Sequence, residues 1–485
     1  MQRAAIQRIF GLLLILFSST MLPPAAIGWW SGDDQDSVAA FLDGFVLILA
    51  IGLLCWLPVR RRRHELRLRD GFMVVALFWT ILGLSGAAPF LLSPEPDMSI
   101  TEAVFESISG LTTTGATVIV GLDHLPRSIL FYRHQLQWLG GMGIIVLAVA
   151  ILPMLGVGGM QLYRAETPGP VKDTKLTPRI TETAKTLWYI YLGLTLACAL
   201  GYWLAGMGPF DAVTHSFSTV AIGGFSTHDA SMGYFGSNAI EAVAVVFMFL
   251  SGVNFALHFM GWRSMSLAPY RGDPEFRAYA SLLAVVAIIT STYLYYTHTE
   301  GGWDESLHQG LFQAVSIGTT TGYTTAEYHT WPGFLPVMLL LTSFVGGCAL
   351  STGGGMKVIR FLLLYKQGMR EITRLIHPAA QIPVKLGSKP VAPRVVDSVW
   401  GFFSLYVTCF TVMSLILAAT GLDLVTSFSA VAACLNNLGP GLGQVGSNYA
   451  GLNETSQWVL CFAMLLGRLE IFGLLVLFTP AYWRK

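Results

Sequence analysis

Thr112-Thr113-Thr114-Gly115-Ala116-Thr117 is the stretch that decides the fold, because it returns three more times in altered form. The others are Val220-Ala221-Ile222-Gly223-Gly224-Phe225, Thr319-Thr320-Thr321-Gly322-Tyr323-Thr324 and Asn436-Asn437-Leu438-Gly439-Pro440-Gly441. Aligned on Gly115, Gly223, Gly322 and Gly439, they stand 108, 99 and 117 residues apart. That period is too long for a solenoid unit, which runs to about 20–50 residues. It leaves room for two membrane-crossing helices with a shorter element between them.

Composition places those helices in lipid. Of 485 residues, 53% are apolar and 12% charged, where a soluble surface carries about 25% charge. Apolar runs of about 20 residues, enough to cross a bilayer, occur near 8–29, 39–59, 71–93, 131–157, 185–206, 239–262, 278–297, 334–364, 398–420 and 457–481. Four shorter segments, near 99–112, 209–221, 304–320 and 423–437, precede the four stretches and read as re-entrant half-helices. Arg3 and Arg8 lead an N-terminal run with the look of a signal peptide, but a second long run follows at once, so it reads as a retained helix.

Basic residues test this count, since they stay on the cytoplasmic side. Arg60, Arg61, Arg62, Arg63, Arg67 and Arg69 follow the second run, and Arg164, Lys172, Lys175 and Arg179 the fourth. Arg263, Arg271 and Arg277 follow the sixth, Lys366, Arg370, Arg374, Lys385, Lys389 and Arg394 the eighth, and Arg484 and Lys485 the tenth. Opposite connections carry Asp33, Asp34, Asp36, Glu95, Asp97 and Glu102. Both termini are therefore expected in the cytoplasm.

The expected fold is an all-α membrane protein: ten transmembrane helices plus four re-entrant pore half-helices, in four span–pore–span repeats around one pseudo-fourfold pore. An extra N-terminal helix pair occupies 1–70, and the repeats fall at 71–183, 184–276, 277–395 and 396–485. Such a pore would strip a cation of its water and replace the lost oxygens with rings of backbone carbonyls, as potassium filters do. Glycine allows the necessary dihedrals. Each half-helix would aim its partially negative C-terminal end at the ion.

Several functions find no support. The net charge of +1 offers no field for nucleic acid. Cys55, Cys198, Cys348, Cys409, Cys434 and Cys461 form no CxxC or metal-type spacing and read as small buried hydrophobes. His215 and His228 flank the second stretch, and His124, His308 and His329 lie in outer loops; no HExxH occurs, and no GxGxxG opens a βαβ unit. The chain does not read as an enzyme and carries no organic cofactor site.

With TTTGAT at 112–117, AIGGFST at 221–227, TTTGYTTA at 319–326 and NNLGPGLG at 436–443, the chain resembles the TrkH/TrkG/KtrB superfamily of potassium transporters over nearly its whole length. The extra N-terminal pair is similar to the TrkH branch. The resemblance implies potassium uptake across the bacterial inner membrane, with K+ as transported ion. The filter residues it implies are Thr113, Thr114 and Gly115, then Ala221, Ile222 and Gly223, then Thr320, Thr321 and Gly322, and last Asn437, Leu438 and Gly439. It also implies a homodimer in the lipid bilayer and a soluble cytoplasmic nucleotide-binding subunit of the TrkA type, for which the basic loops at 158–184 and 365–395 are candidate docking surfaces.

Two further features fit. Gly346, Gly347, Gly353, Gly354 and Gly355 place five glycines within ten residues of the eighth run, together with Ser351, Thr352 and the following Lys357. Each glycine costs a helix about 1 kcal/mol relative to alanine, so the run should break, and irregular backbone at membrane depth belongs beside a cavity. By resemblance this is an intramembrane gate. A flexible helix end with a snorkelling Lys357 is the plainer alternative. Arg468, midway along the tenth run, costs at least about 2.5 kcal/mol in lipid unless it meets water or a partner, so it should face the pore, where similar proteins use an arginine against the gate. Pairing with Glu470 is the other reading.

The rival function is a secondary transporter with broken helices and a midplane site for another cation such as sodium. The second and fourth stretches lack the paired hydroxyls of the others, which leaves sodium in contention.

Overall fold

The computed structural model describes residues 3–61, 68–143, 180–387 and 389–484. Arg62, Arg63 and Arg67, the end of the expected fourth span, and the basic cluster Arg164 to Arg179 lie outside the described residues, as do most of the candidate docking loop at 158–184 and Lys485.

The chain is mostly helical. Six helical segments among the described residues are long and apolar enough to cross a membrane: Arg3–Ser31, Gln35–Val59, Arg69–Leu92, Lys185–Leu204, Pro274–Tyr296 and Pro393–Ala419. Their outward faces are apolar, with Leu54, Ile288 and Leu415 exposed, and Trp29 and Trp30 stand at one helix end as an aromatic belt would. The chain is a multi-pass membrane protein.

Three of the expected spans are not continuous helices. The 239–262 run splits into Asn238–Ser251 and Phe255–Ser264 with a 97° bend, and the 457–481 run into Glu454–Arg468 and Phe472–Phe478 with a 106° bend. The 334–364 run gives Leu335–Val345, the glycine-rich loop and Val358–Ile376. Only the last break was expected. In the sixth run the break falls at Gly252, and the Asn254 side chain then caps the next helix by accepting from Ala256 N at 2.9 Å. In the tenth it falls at Glu470 and Ile471, both at positive φ, which no glycine announces. A further small departure from the all-α expectation is an antiparallel ladder pairing Lys385–Leu386 with Lys389–Pro390.

The four short segments are helices at Ile100–Leu111, Pro209–Ala221, Trp303–Gly318 and Leu424–Leu435. Each start has a local cause. Ser99 and Glu102 form a capping box, Pro209 occupies the first turn, Asp304 and Glu305 place negative charge at the third helix's start, and Asp423 accepts from Thr426 N at 3.0 Å.

Packing links these helices in a circuit. Ile100–Leu111 rests on Arg127–Gly141 and Glu454–Arg468, and Pro209–Ala221 on Asn238–Ser251 and Arg127–Gly141. Trp303–Gly318 rests on Leu335–Val345 and Asn238–Ser251, and Leu424–Leu435 on Glu454–Arg468 and Leu335–Val345. Each short helix thus touches one helix that follows it in the chain and one that also follows or touches a neighbouring short helix, so the series of contacts closes on itself.

Candidate functional site: a ring of four glycine turns

Each short helix ends in the same turn. Thr114 N donates to Ser109 O at 2.9 Å, and Gly223 N to Ser218 O, Thr321 N to Ser316 O and Leu438 N to Ala433 O, each at 2.8 Å. The residue before each of these donors is left-handed: Thr113, Ile222, Thr320 and Asn437 have φ of 55°, 55°, 69° and 53°. Three of the four are β-branched, for which this region is an outlier and costs on the order of 1–3 kcal/mol. The residue after each donor is a glycine at positive φ: Gly115, Gly224, Gly322 and Gly439.

This matching turn corrects the alignment. The structural counterpart of Gly115 is Gly224, not Gly223, so the spacings are 109, 98 and 117 residues. Gly223 stands where Thr114 stands, and Ala221 is the last residue of its helix. Two adjacent glycines made the register ambiguous; the backbone hydrogen bonds settle it.

The four turns meet. A Cβ built on Gly115 would lie 2.1 Å from Gly223 O, one on Gly224 2.0 Å from Thr321 O, one on Gly322 2.1 Å from Leu438 O, and one on Gly439 2.7 Å from Thr114 O. Each glycine therefore faces the carbonyl before the glycine of the adjacent turn, and the series closes on itself. No side chain fits at any of the four places.

What holds each stretch differs. Thr112 and Thr114 hydroxyls lie 2.8 Å apart, and those of Thr319 and Thr321 2.7 Å apart, so the first and third stretches are tied internally. The second has no such hydroxyls and is held from outside: Gln137 Nε2 donates to Gly223 O at 2.6 Å, and Gln137 Oε1 accepts from Phe225 N at 3.1 Å. In the fourth, Asn437 Nδ2 donates to Thr114 Oγ1 at 3.0 Å and Met464 O at 3.0 Å, and Tyr449 OH donates to Gly439 O at 2.7 Å.

A buried ion pair backs the first two. Arg133 Nε donates to Glu106 Oε1 at 2.7 Å with side chains 1% and 0% exposed. Glu106 also accepts from Val118 N at 3.1 Å, while Arg133 donates to Ser226 O at 3.0 Å and lies 4.2 Å from the centre of the Phe225 ring. Neither Gln137 nor this pair was singled out in the sequence. Arg133 inside an apolar run was the available signal.

The glycine-rich loop lies against three of the turns. Thr352 Oγ1 donates to Val220 O at 2.9 Å, Gly354 N to Thr320 Oγ1 at 2.7 Å and Gly355 N to Asn436 O at 3.0 Å. Lys357 Nζ folds back onto Gly353 O, so the amine serves the loop itself. Arg468 donates to Thr113 Oγ1 at 3.1 Å, Thr352 O at 3.3 Å and Gly140 O at 2.5 Å, joining the first turn to the loop. Glu470 pairs with Arg360.

On the other side of the ring His228 bonds Asp123 through Nδ1, lies 3.9 Å from Asp211 Oδ1 through Nε2, and stacks on Tyr234 with ring centres 3.4 Å apart. Partial burial disfavours its charged form, but the neighbouring carboxylates of Asp211 and Asp123 outweigh it and raise its pKa. Burial likewise works against the Asp123 carboxylate, and the bonds from His228 and Asp229 N prevail and hold its pKa below the ordinary 3.8.

A multi-pass helical protein whose four short helices bring glycine turns into one closed ring belongs to the class of membrane transport proteins. Residues 37–485 match the model of the TrkH family, described as cation transport protein. The chain is 58% identical over 487 residues to the Trk system potassium uptake protein TrkH of Vibrio parahaemolyticus, covering 100% of both chains. It is 54% identical over 481 residues to that of Escherichia coli K12, covering 99% of both. The crystal structure of the potassium transporter TrkH from Vibrio parahaemolyticus superimposes with a TM-score of 0.91 at 55% identity, covering 100% of each chain. The chain belongs to the TrkH family, a family of transport proteins and not of enzymes.

Proposed function

We propose that this chain takes up potassium across the bacterial inner membrane through the ring of glycine turns. In this reading the ten expected spans cross the bilayer with both termini in the cytoplasm, and the short helices are re-entrant halves of four repeats at 71–183, 184–276, 277–395 and 396–485. Carbonyls of Thr113, Thr114, Ile222, Gly223, Thr320, Thr321, Asn437 and Leu438 replace the ion's water, and the four facing glycines let the turns approach closely enough to do so. The observation that carries the reading is the closed series of glycine-to-carbonyl approaches, because a side chain at any one place would force the ring apart.

The loop at 346–357 and Arg468 form the gate beneath it. Arg468 puts positive charge at the inner end of a cation path and ties the loop tip to the first turn, both of which oppose conduction. The relatives' names place them in a Trk system; in this reading a homodimer and a cytoplasmic nucleotide-binding subunit, both implied by the resemblance of the sequence, complete it. The rival, a carrier rocking about a midplane site, expects two inverted halves; a single ring built from four turns favours a pore. Rubidium uptake into liposomes holding the purified protein, with and without an imposed proton gradient, tests the reading. Uptake that ignores the gradient supports a channel, and absence of rubidium uptake with sodium uptake retained overturns the ion assignment.

A further inference from the structure

We propose that Glu275 is a positioning residue for the 346–357 loop, one carboxylate that fastens both ends of the loop and so keeps its tip beneath the ring. The proposal rests on the reading of that loop as the gate.

Glu275 is the second residue of the helix Pro274–Tyr296 and is 5% exposed. Its Oε1 accepts from Ala349 N at 2.7 Å and from Ile359 N at 3.2 Å. Those amides stand ten residues apart in the chain and on opposite strands of the loop's neck. Here one oxygen serves two backbone donors.

The position matters for a second reason. Helix Val358–Ile376 begins after Lys357, whose side chain makes no capping bond. The first-turn amide of Ile359 is therefore satisfied by a carboxylate borrowed from another helix, which also meets the positive end of the helix dipole. Without it the start of this helix loses its cap, and the loop loses its fixed far end.

Main-chain hydrogen bonds also close the neck. Met356 N donates to Phe344 O at 2.9 Å and Val358 N to Gly347 O at 3.1 Å. A Cβ on Gly346 would fall 2.2 Å from Gly354 O, so the two strands lie as close as glycine permits. The tip contacts of Thr352, Gly354 and Gly355 with the ring depend on this neck staying folded.

The same chain segment reaches the loop twice. Cys348 N donates to Gly252 O at 2.9 Å and Phe255 N to Leu350 O at 3.1 Å, at the break where the second unit's helix turns through 97°. Glu275 follows after the helices Phe255–Ser264 and Ala268–Gly272. The segment 252–275 thus grips one side of the loop at its start and both sides at its end, so a displacement of it moves the neck as a unit.

The test measures resting rubidium flux in proteoliposomes for wild type, Glu275→Ala, Glu275→Gln and a chain lacking residues 352–355. Potassium-over-sodium preference is read for each. Loss of the anchor in a two-state loop should raise resting flux about tenfold in Glu275→Ala, with ion preference unchanged and Glu275→Gln between. A role in folding alone would lower the yield of protein without opening the resting path. If Glu275→Ala elutes like wild type and its resting flux is unchanged while the loop-shortened chain leaks, the anchor is overturned and the gate stands. If the loop-shortened chain does not leak either, the gate reading fails and the anchor with it. Where the alanine variant does not fold, Glu275→Gln decides, and a resting flux equal to wild type overturns the proposal.

Discussion

Arg468 Nη1 donates to Thr113 Oγ1 at 3.1 Å and to Thr352 O at 3.3 Å, so one guanidinium bridges the first glycine turn and the tip of the glycine-rich loop. Hydrogen bonds from a charged donor contribute about 1.5–3 kcal/mol each. Arg468→Ala removes the bridge and the positive charge together. Resting rubidium flux should rise about tenfold, and Arg468→Lys, with a single ammonium in place of the planar fork, should fall between the two. Flux assays on liposomes check this; an Arg468→Ala protein that folds and conducts less than wild type would contradict the bridge.

Gly224 and Gly223 separate the two possible registers of the second stretch. Gly224 sits at φ 75°, and a Cβ there would meet Thr321 O at 2.0 Å, whereas a Cβ on Gly223 would meet the movable end of Gln137 at 2.4 Å. Gly224→Ala should therefore abolish potassium-dependent growth of an uptake-deficient strain, and Gly223→Ala should weaken it less. Equal loss in both would return the register to the sequence alignment.

How much was legible follows from what each residue announces. The four stretches, the short helices and the break at Gly346 to Gly355 were visible, because threonine–glycine runs and glycine clusters have few other uses in an apolar chain. The breaks at Gly252 and at Glu470–Ile471 were not. One glycine is common in membrane helices, and a left-handed glutamate or isoleucine leaves no mark in sequence; it is held there by tertiary contacts such as the Arg360–Glu470 pair. Gln137 and Glu275 were hidden for a similar reason. Each acts on main chain more than 70 positions away, and a side chain that bonds backbone carries no partner residue for pattern reading to find.

Glu106 and Arg133 form a buried pair behind the first two stretches, with side chains 0% and 1% exposed. Removing one partner of such a pair leaves an uncompensated charge and costs about 3–5 kcal/mol. Arg133→Ala should therefore lower the melting temperature of the detergent-solubilised protein sharply. The double variant Glu106→Gln/Arg133→Met should melt above Arg133→Ala, because it leaves no buried charge behind. A single variant that melts with wild type would remove the pair from the account.

His228 joins the loop carrying Asp123 to the second stretch, and its charge state should make that link depend on pH. Its folded-state pKa is raised above the ordinary 6.5 by Asp211 and Asp123, so its contribution is fully present below about 6.5 and is lost as pH rises through the folded value. Asp123 is lowered below 3.8, so its share is present above about 3.8 and is lost as pH falls through its own folded value. The link should be strongest between those limits. Amide exchange in 117–126 and 226–236 should accordingly speed up from pH 6 to pH 8 beyond the intrinsic base-catalysed rate, and His228→Gln should abolish that excess. Tyr234 also stacks on the imidazole, a contact that does not need the ring's charge, so the change should be confined to these two loops. Exchange rates that rise equally in wild type and His228→Gln would show that the pair does not hold the loops together.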